Sequence, residues 1–429
     1  MAGTGAGPYR EICFDADGDP GGGAYDTLAA ADVTDLVVFA HGWNNSPATA
    51  RRFHQSFFAP FPKLLASAPG VRIGYAGVLW PSMRFPDEPF PAAERVEEAA
   101  TTAGPGLGKP TRDLLSCLFP GHGATVDRLA SLLDEQPESR AAFAEFGMLA
   151  RQLAAVPPGG LEAAFAEDLP RDEQSPPAVL YEDGLTLSLR LAAALDGHHR
   201  DHGGPGAAWR GAKELLRQTT YYAMKRRAGT VGELGLGPLL GRLSRSAPHL
   251  RVHLVGHSHG ARLVAFALRG LPDGACNVKS LTLFQAAFSH YAFATSLPHA
   301  PSRCGVLGAL QDRVDGPVVA CHSRHDTALG VFYPLVSSLA GDEAAAAGTD
   351  RRWWAMGHDG IRGVADTPRL TLEEALRTGL PASGCVSVDA SAVVRRGRPP
   401  VGAHGDVCHE ELARVVLTAG RVAGHHAGT

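Results

Sequence analysis

The segment with the clearest chemical content is GHSHG at residues 256–260, a G-x-S-x-G pattern. It lies between an apolar run of strand length and an amphipathic stretch with helical spacing. A serine that protrudes from a sharp strand-to-helix turn can act as a nucleophile, and only small residues fit two positions on either side of it. The pattern therefore predicts Ser258 as a nucleophile, with Gly256 and Gly260 leaving room for the turn.

A second pattern, HGWNNS at residues 41–46, directly follows the apolar run 36–40. Acyl transfer through a serine requires N–H donors aimed at the oxygen on which negative charge develops. Two candidate donors are the backbone N–H of His259, just after the serine, and that of Trp43 in this loop. We expect the neighbouring His41 and Gly42 to support the loop. The alternative is an ordinary turn in which the His and Asn side chains only cap backbone groups.

A serine hydroxyl is a weak nucleophile unless a histidine takes its proton and an acid orients that histidine. Asp326 follows the apolar run 317–321, so it lies at the end of a predicted strand, where such an acid belongs. In the alternative interpretation Asp326 only caps the segment that follows it. Asp312, Asp315 and Asp359 are the other candidate acids.

The candidate histidine is His404, in the glycine-containing loop 401–407 between the last predicted strand and the last predicted helix. Such a loop lets an imidazole reach across to the serine. His409, five residues further on, is the main alternative, although its position predicts the start of the closing helix. His358 is a weaker candidate.

The predicted strands and helices that must position these residues indicate an α/β protein. Apolar runs predict strands, and three segments with helical spacing predict helices from Ser46, over 261–269 and over 410–418. The predicted strands are 36–40, 71–75, 251–255, 281–288, 317–321 and 385–394. We expect a doubly wound, mostly parallel sheet formed by residues 31–83 and 244–429, preceded by an N-terminal extension over 1–30.

Residues 84–243 interrupt the α/β pattern and have the character of a mainly helical insertion. The insertion begins beyond the end of a strand, where ligands bind in open α/β sheets, so it could form a lid over the site. Its apolar stripes, which include Phe143 and Phe146, would then wall an acyl pocket. Alternatively the stripes pack only against each other, and residues 209–243 form a core helix that leads into the next strand.

Composition excludes several classes of protein. The chain has 429 residues and a net charge of −4, which argues against a broadly basic nucleic-acid surface. The seven cysteines are scattered without a C-x-x-C pair, which favours a reducing cytoplasm over a disulfide framework or a zinc site. We find no signal-peptide pattern and no apolar stretch of membrane-spanning length. We therefore expect a cytoplasmic protein with no metal and no cofactor.

With these motifs the chain resembles the serine hydrolases of the alpha/beta-hydrolase fold, and within them a bacterial branch with HGWNNS, WPS and GHSHGAR segments. The resemblance covers about 31–83 and 244–429. It implies Ser258 as nucleophile, Asp326 as acid, His404 as base, and the hydrolysis of esters or related acyl compounds. The segments 285–290 and 322–326 fit the same branch, whereas the insertion fits no family pattern.

The resulting hypothesis is a serine esterase of lipase-like character that acts on a small-molecule or lipid acyl substrate. One alternative is a catalytically silent binding module with a hydrolase-like fold, although no triad residue is missing. The other is a membrane-acting phospholipase whose insertion docks on lipid. Its only sequence signs are the basic residues 225–227 and Trp209.

Overall fold

Eight strands form one sheet in the order β1-β3-β2-β4-β5-β6-β8-β7, and every neighbouring pair is parallel. The residues that the computed structural model describes are 8–23, 28, 32–66, 68, 70–83, 85, 106–154, 168, 183–195, 205–333, 354–397 and 401–422. The strands are β1 (Tyr9–Cys13), β2 (Asp35–Ala40), β3 (Ile73–Leu79), β4 (Arg251–His257), β5 (Val278–Phe284), β6 (Pro317–His322), β7 (Arg369–Thr371) and β8 (Gly384–Asp389).

The predicted strands agree with the observed strands at their centres but differ from them at some ends. The strand predicted over 281–288 ends at Phe284, because Gln285 adopts a positive φ of 41° and turns the chain away. The strand predicted over 385–394 ends at Asp389. Part of the predicted extension over 1–30 belongs to the sheet, since β1 pairs with β3. The short strand β7 was not predicted.

Helices flank the sheet, and no described helix combines the length and apolarity that crossing a bilayer requires. In chain order they are α1 (Pro47–Phe58), α2 (Phe61–Leu65), α3 (Lys109–Leu118), α4 (Gly123–Glu135), α5 (Arg140–Ala154), α6 (Gly184–Leu195), α7 (Pro205–Thr230), α8 (Gly237–Ser246), α9 (His259–Gly270), α10 (Met356–Asp359), α11 (Leu372–Thr378) and α12 (Glu410–Ala419). A π-helical segment, Val231–Leu236, joins α7 to α8.

Apolar side chains cover both faces of the sheet. One face packs against α7, α8 and α9, whose buried residues include Trp209, Leu240 and Phe266. The other face packs against α1 and α12, through residues such as Phe57 and Val416. Burial on both faces explains why the central strands read as continuous apolar runs rather than as alternating patterns.

The topology places a switch point between β2 and β4. From β2 the chain moves outward through α1 to β3, whereas from β4 it moves the other way through α9 to β5. The carboxyl ends of β2 and β4 therefore open a crevice, which is the usual place for a ligand in an open α/β sheet. The HGW loop follows β2 and the candidate nucleophile follows β4, so both lie at this crevice.

The described part of the insertion is helical, and its apolar stripes pack on each other. The Phe143 ring stacks on Trp209 at a centroid distance of 4.3 Å, and Phe146 contacts the same indole edge-on at 5.7 Å. All three side chains are buried. The expectation that Phe143 and Phe146 wall an acyl pocket is therefore wrong at these positions, because their rings are consumed by packing within the insertion.

The predicted signs of a membrane-docking face point inward. Trp209 is buried in the core, and Lys225 is buried against Asp168. Arg227 donates to the Pro81 carbonyl oxygen at 2.7 Å, which ties α7 to the segment after β3. Trp209 and Lys225 thus pack within the insertion, whereas Arg227 fastens the insertion to the segment after β3.

A buried carboxylate links the insertion to the helix behind the candidate nucleophile. Asp168 forms ion pairs with Lys225 of α7, at 2.7 Å, and with Arg262 of α9. Its Oδ2 also accepts hydrogen bonds from the Tyr333 hydroxyl and the Ser289 backbone N–H, each at 3.0 Å. Charges out of water require such compensation, so this Asp168 cluster holds two helices together only while the carboxylate is present.

We expect Asp168→Asn to lower the free energy of unfolding by about 3 kcal/mol, because it removes the shared carboxylate from two buried cations. The matched control is Asp273→Asn, which changes a carboxylate that is 99% exposed and pairs with Arg313. An exposed pair contributes about 0–1 kcal/mol. Urea unfolding of the parent protein and the two variants measures both changes in the free energy of unfolding. Equally small changes in the two variants would contradict the role of Asp168.

Candidate active site

The turn between β4 and α9 has the geometry that the G-x-S-x-G pattern predicts. Ser258 adopts φ 58° and ψ −121°, a strained backbone conformation for a residue with a side chain. Its N–H donates to the Phe284 carbonyl oxygen at 3.0 Å, which holds the turn against β5. A Cβ at Gly256 or at Gly260 would collide with neighbouring backbone atoms, so the turn closes only with glycine at both positions.

The three residues predicted for the triad meet above the carboxyl ends of the strands. The Ser258 Oγ and His404 Nε2 are 2.8 Å apart, and His404 Nδ1 and Asp326 Oδ2 are 2.7 Å apart. Ionised Asp326 can only accept, so Nδ1 carries the proton and Nε2 has the lone pair that faces the serine hydroxyl. This arrangement lets His404 take the hydroxyl proton while the carboxylate stabilises the imidazolium that forms.

Asp326 performs both tasks that the sequence left open. Its Oδ2 contacts His404, while Oδ1 accepts a hydrogen bond from the Leu329 N–H at 3.0 Å and so caps the following turn. The side chain is completely buried. The other candidate acids have other surroundings: Asp359 binds His290 and Arg362, and Asp315 pairs with Lys279.

The alternative histidines lie away from the serine. His409 precedes α12, as its position predicted, and its Nε2 is 2.9 Å from Asp406 Oδ1. His358 lies within α10. His404 instead sits in a short 3-10 turn, 403–405, that is anchored to the Asp326 loop by a hydrogen bond from the Ala403 N–H to the His325 carbonyl oxygen.

The loop after β2 presents the Trp43 N–H to the crevice. His41 Nδ1 and Asn45 Nδ2 both bind the Gly42 carbonyl oxygen, at 2.9 and 3.0 Å. The peptide bond between Gly42 and Trp43 is planar and trans, so its N–H points opposite to that carbonyl. Among the described residues, neither this N–H nor that of His259, the first residue of α9, donates to a backbone carbonyl.

The WPS segment after β3 supports the same loop. The Trp80 indole stacks on His41 and its Nε1 donates to the His41 carbonyl oxygen at 2.9 Å. The Ser82 hydroxyl donates to the Asn45 carbonyl oxygen at 3.0 Å. Two motifs that are separate in sequence thus form one rigid support, which fixes the direction of the Trp43 N–H.

The histidines around the triad are buried and held neutral. Burial lowers the pKa of His41 to about 4, and that of His257 and of His259 to about 3. Since a carbonyl oxygen only accepts, neutral His41 carries its proton on Nδ1, where it binds Gly42. Among the described residues, no group of three His, Cys, Asp or Glu side chains is arranged to hold a metal ion.

The insertion reaches the site through α7. The Tyr221 ring centroid lies 4.6 Å from that of the His259 ring and 5.8 Å from that of the Trp43 ring, so it contacts the side chains of both residues whose N–H groups are the candidate oxyanion donors. Its hydroxyl donates to the Ala287 carbonyl oxygen, and the Ala287 N–H binds the Ser258 carbonyl oxygen. Tyr221 belongs to a small apolar cluster, hereafter the Tyr221 cluster, with Ala287, Leu329, Tyr333 and Ala355, against which Trp43 packs.

The sequence interpretation named the Asn side chains of the HGWNNS motif only in its alternative, as caps of backbone groups, and Asn45 does cap the Gly42 and Trp43 carbonyl oxygens. It missed Tyr221. Tyr221 lies in the insertion, and nothing in its sequence spacing distinguishes it from a core residue. Only the packing of α7 beside α9 brings it to the crevice.

Comparison with known proteins gives no match: no protein-family model, no curated protein and no solved structure matches this chain.

We expect the protein to lose stability as the pH falls from 7.5 to 5. The buried histidines stay neutral in the folded protein, whereas they protonate below about pH 6.5 when unfolded, so acid favours the unfolded chain. At pH 5 each such histidine lowers the free energy of unfolding by about 2 kcal/mol. Urea unfolding at pH 7.5 and at pH 5 measures the total loss.

Two variants test the cause of this acid sensitivity. His54 is buried, and burial holds its pKa well below the usual value, so His54→Phe should reduce the loss between the two pH values. The exposed His122 provides the control, and His122→Gln should leave the loss unchanged. A free energy of unfolding that is the same at both pH values would refute the expectation.

Proposed function

We propose that this chain is a serine hydrolase of the alpha/beta-hydrolase type that cleaves carboxylic esters through an acyl-enzyme. Ser258 attacks the ester carbonyl carbon while His404 takes the hydroxyl proton. The tetrahedral intermediate collapses as His404 returns that proton to the leaving alcohol. Water, deprotonated by His404, then attacks the acyl-enzyme and releases the acid. The backbone N–H groups of Trp43 and His259 stabilise the oxyanion in both halves of the reaction.

The observation that carries the proposal is the continuous hydrogen-bond chain from Ser258 through His404 to Asp326, with distances of 2.8 and 2.7 Å. It coincides with a strained serine backbone at the end of a central strand. A polar network that served only to satisfy buried groups would not require this conformation. Strain of this kind concentrates at functional sites.

The Tyr221 cluster supports an apolar acyl group as the preferred substrate part. Its Tyr221 ring packs against the side chains of Trp43 and His259, the two residues that carry the candidate oxyanion donors. The cluster itself is buried, so it backs the partly exposed Trp43, whose apolar surface an acyl group would remove from water. In this proposal the insertion lines the acyl pocket through Tyr221 of α7 rather than through Phe143 and Phe146.

We expect a fluorophosphonate probe to label Ser258 and no other serine, because its hydroxyl faces the His404 lone pair at the carboxyl end of a strand. The Ser280 hydroxyl also lies 3.0 Å from an imidazole nitrogen, His253 Nδ1, but it is completely buried within β5. Mass spectrometry of the labelled protein locates the adduct. Labelling that persists in Ser258→Ala, or ester hydrolysis at the parent rate in that variant, would contradict the nucleophile assignment.

The histidine variants serve as a matched pair for this experiment. His404→Ala should lower turnover by about 10⁴ or more, and Asp326→Asn should also be severe. His409→Ala, which removes a ring bound only to Asp406 among the described residues, should retain most of the activity. The assignment of the base would be wrong if folded His409→Ala were the inactive variant.

We expect Tyr221→Ala to change the ratio of activity on long-chain and short-chain esters, because it removes a ring that packs against the side chains of Trp43 and His259. Phe143→Ala is the matched control, since it deletes a buried ring of the insertion that packs on Trp209. Both substitutions should lower stability, so only the ratio is informative. An unchanged ratio in Tyr221→Ala, or an equal change in both variants, would argue against this wall.

A further inference from the structure

The residue before the candidate nucleophile makes a contact that the triad does not explain. His257 is the last residue of β4, and its Nε2 lies 2.7 Å from the backbone carbonyl oxygen of His404. The two imidazole rings are also in contact, with centroids 4.9 Å apart. Two consecutive residues thus supply the candidate nucleophile and a hydrogen bond to the loop that carries the candidate base.

The direction of this hydrogen bond fixes the protonation of His257. A carbonyl oxygen can only accept, so Nε2 carries the proton. The ring is neutral, because burial keeps its pKa at about 3, and Nδ1 is therefore a bare lone pair. Consistent with this, Nδ1 has no hydrogen-bond partner among the described residues and faces Gly42, where a Cβ would approach it to 3.1 Å.

The position of His404 depends on few backbone contacts. Gly402 precedes it with a φ of 62°, and the 3-10 turn that contains it spans only 403–405. The Ala403 N–H binds the His325 carbonyl oxygen, which ties the loop to the segment that carries Asp326. The bond from His257 is the corresponding tie to the strand that carries Ser258. Without it the backbone of the loop keeps its hydrogen bond to the segment that carries the acid but loses the one to the strand that carries the nucleophile.

We propose that His257 is a positioning residue that sets the His404 imidazole at reacting distance from Ser258 by donating a hydrogen bond from Nε2 to the His404 carbonyl oxygen. The inference rests on the proposed hydrolase activity, because it assigns His404 as the base. His257 does not touch the substrate and takes up no proton during the reaction. Its contribution is geometric, and a displacement of about 1 Å at a reacting group can cost a hundredfold in rate.

The test compares His257→Phe with His257→Gln. Phenylalanine keeps the ring packing against Phe53 but cannot donate, whereas the Gln side-chain amide can donate from a similar position. We expect His257→Phe to lower kcat about tenfold to hundredfold with KM within about twofold, and to slow fluorophosphonate labelling of Ser258 by a similar factor. His257→Gln should recover most of kcat.

A buried histidine on the same face of the sheet provides the structural control. His54 packs against Phe39 and binds the Tyr9 hydroxyl, with no hydrogen bond to the triad among the described residues. His54→Phe should lose stability but keep kcat. The inference is overturned if folded His257→Phe keeps kcat within about twofold of the parent, or if His257→Gln is no better than His257→Phe.

A spectroscopic signal separates failure of this inference from failure of the proposed function. The proton between His404 Nδ1 and Asp326 should give a low-field NMR resonance in the parent and in His257→Gln that is lost or shifted in His257→Phe. If the parent neither hydrolyses esters nor reacts with the probe, the proposed function fails and this signal alone decides the role of His257. A resonance absent from the parent, or unchanged in His257→Phe, overturns it.

Discussion

The close approach of β2, β4 and β5 at one point is the constraint on which the rest of the site depends. Ser258 can hold its strained backbone because its N–H donates to the carbonyl oxygen of Phe284, the last residue of β5, and its carbonyl oxygen accepts from the Ala287 N–H just after that strand. The same crowding requires glycine at 256 and 260. Once the turn is closed, the serine hydroxyl can point only into the crevice between β2 and β4, and every other group of the site is arranged around that direction.

Parallel pairing then brings the remaining groups together without long connections. The strands β2, β4 and β6 end at the same edge, so the HGW loop, the serine turn and the Asp326 loop become neighbours. His404 arrives after β8, the strand beside β6. Each loop is held by a hydrogen bond with a neighbouring segment. Ser82 binds Asn45, His325 binds Ala403, and His257 binds the His404 carbonyl oxygen. The site is therefore a set of mutually supported turns.

The sequence predicted the residues of this site better than the elements around it. Ser258 and Asp326 were identifiable because each directly follows an apolar run, and buried parallel strands produce such runs. His404 was identifiable from its glycine-containing loop between the last predicted strand and the last predicted helix. The strand ends were less accurate, since the positive φ of Gln285 has no signal in side-chain type. β1 was missed because it is an edge strand of five residues, four of which are at least partly exposed, and it therefore lacks that apolar signature. The contacts of Asp168 and Tyr221 depend on how the insertion packs, and spacing alone does not encode that.

The Asp168 cluster makes the insertion and the core depend on each other, so that neither can be replaced alone without leaving a buried charge. Arg262 lies one helical turn after Ser258, on the helix that every version of this elbow must keep, and its guanidinium is completely buried. A chain from which the insertion had been deleted would retain that guanidinium without Asp168 and Lys225, on a surface shaped to exclude water. Moving this insertion onto another α/β core would therefore require an arginine at the position of Arg262, because Asp168 and Lys225 are arranged around its guanidinium.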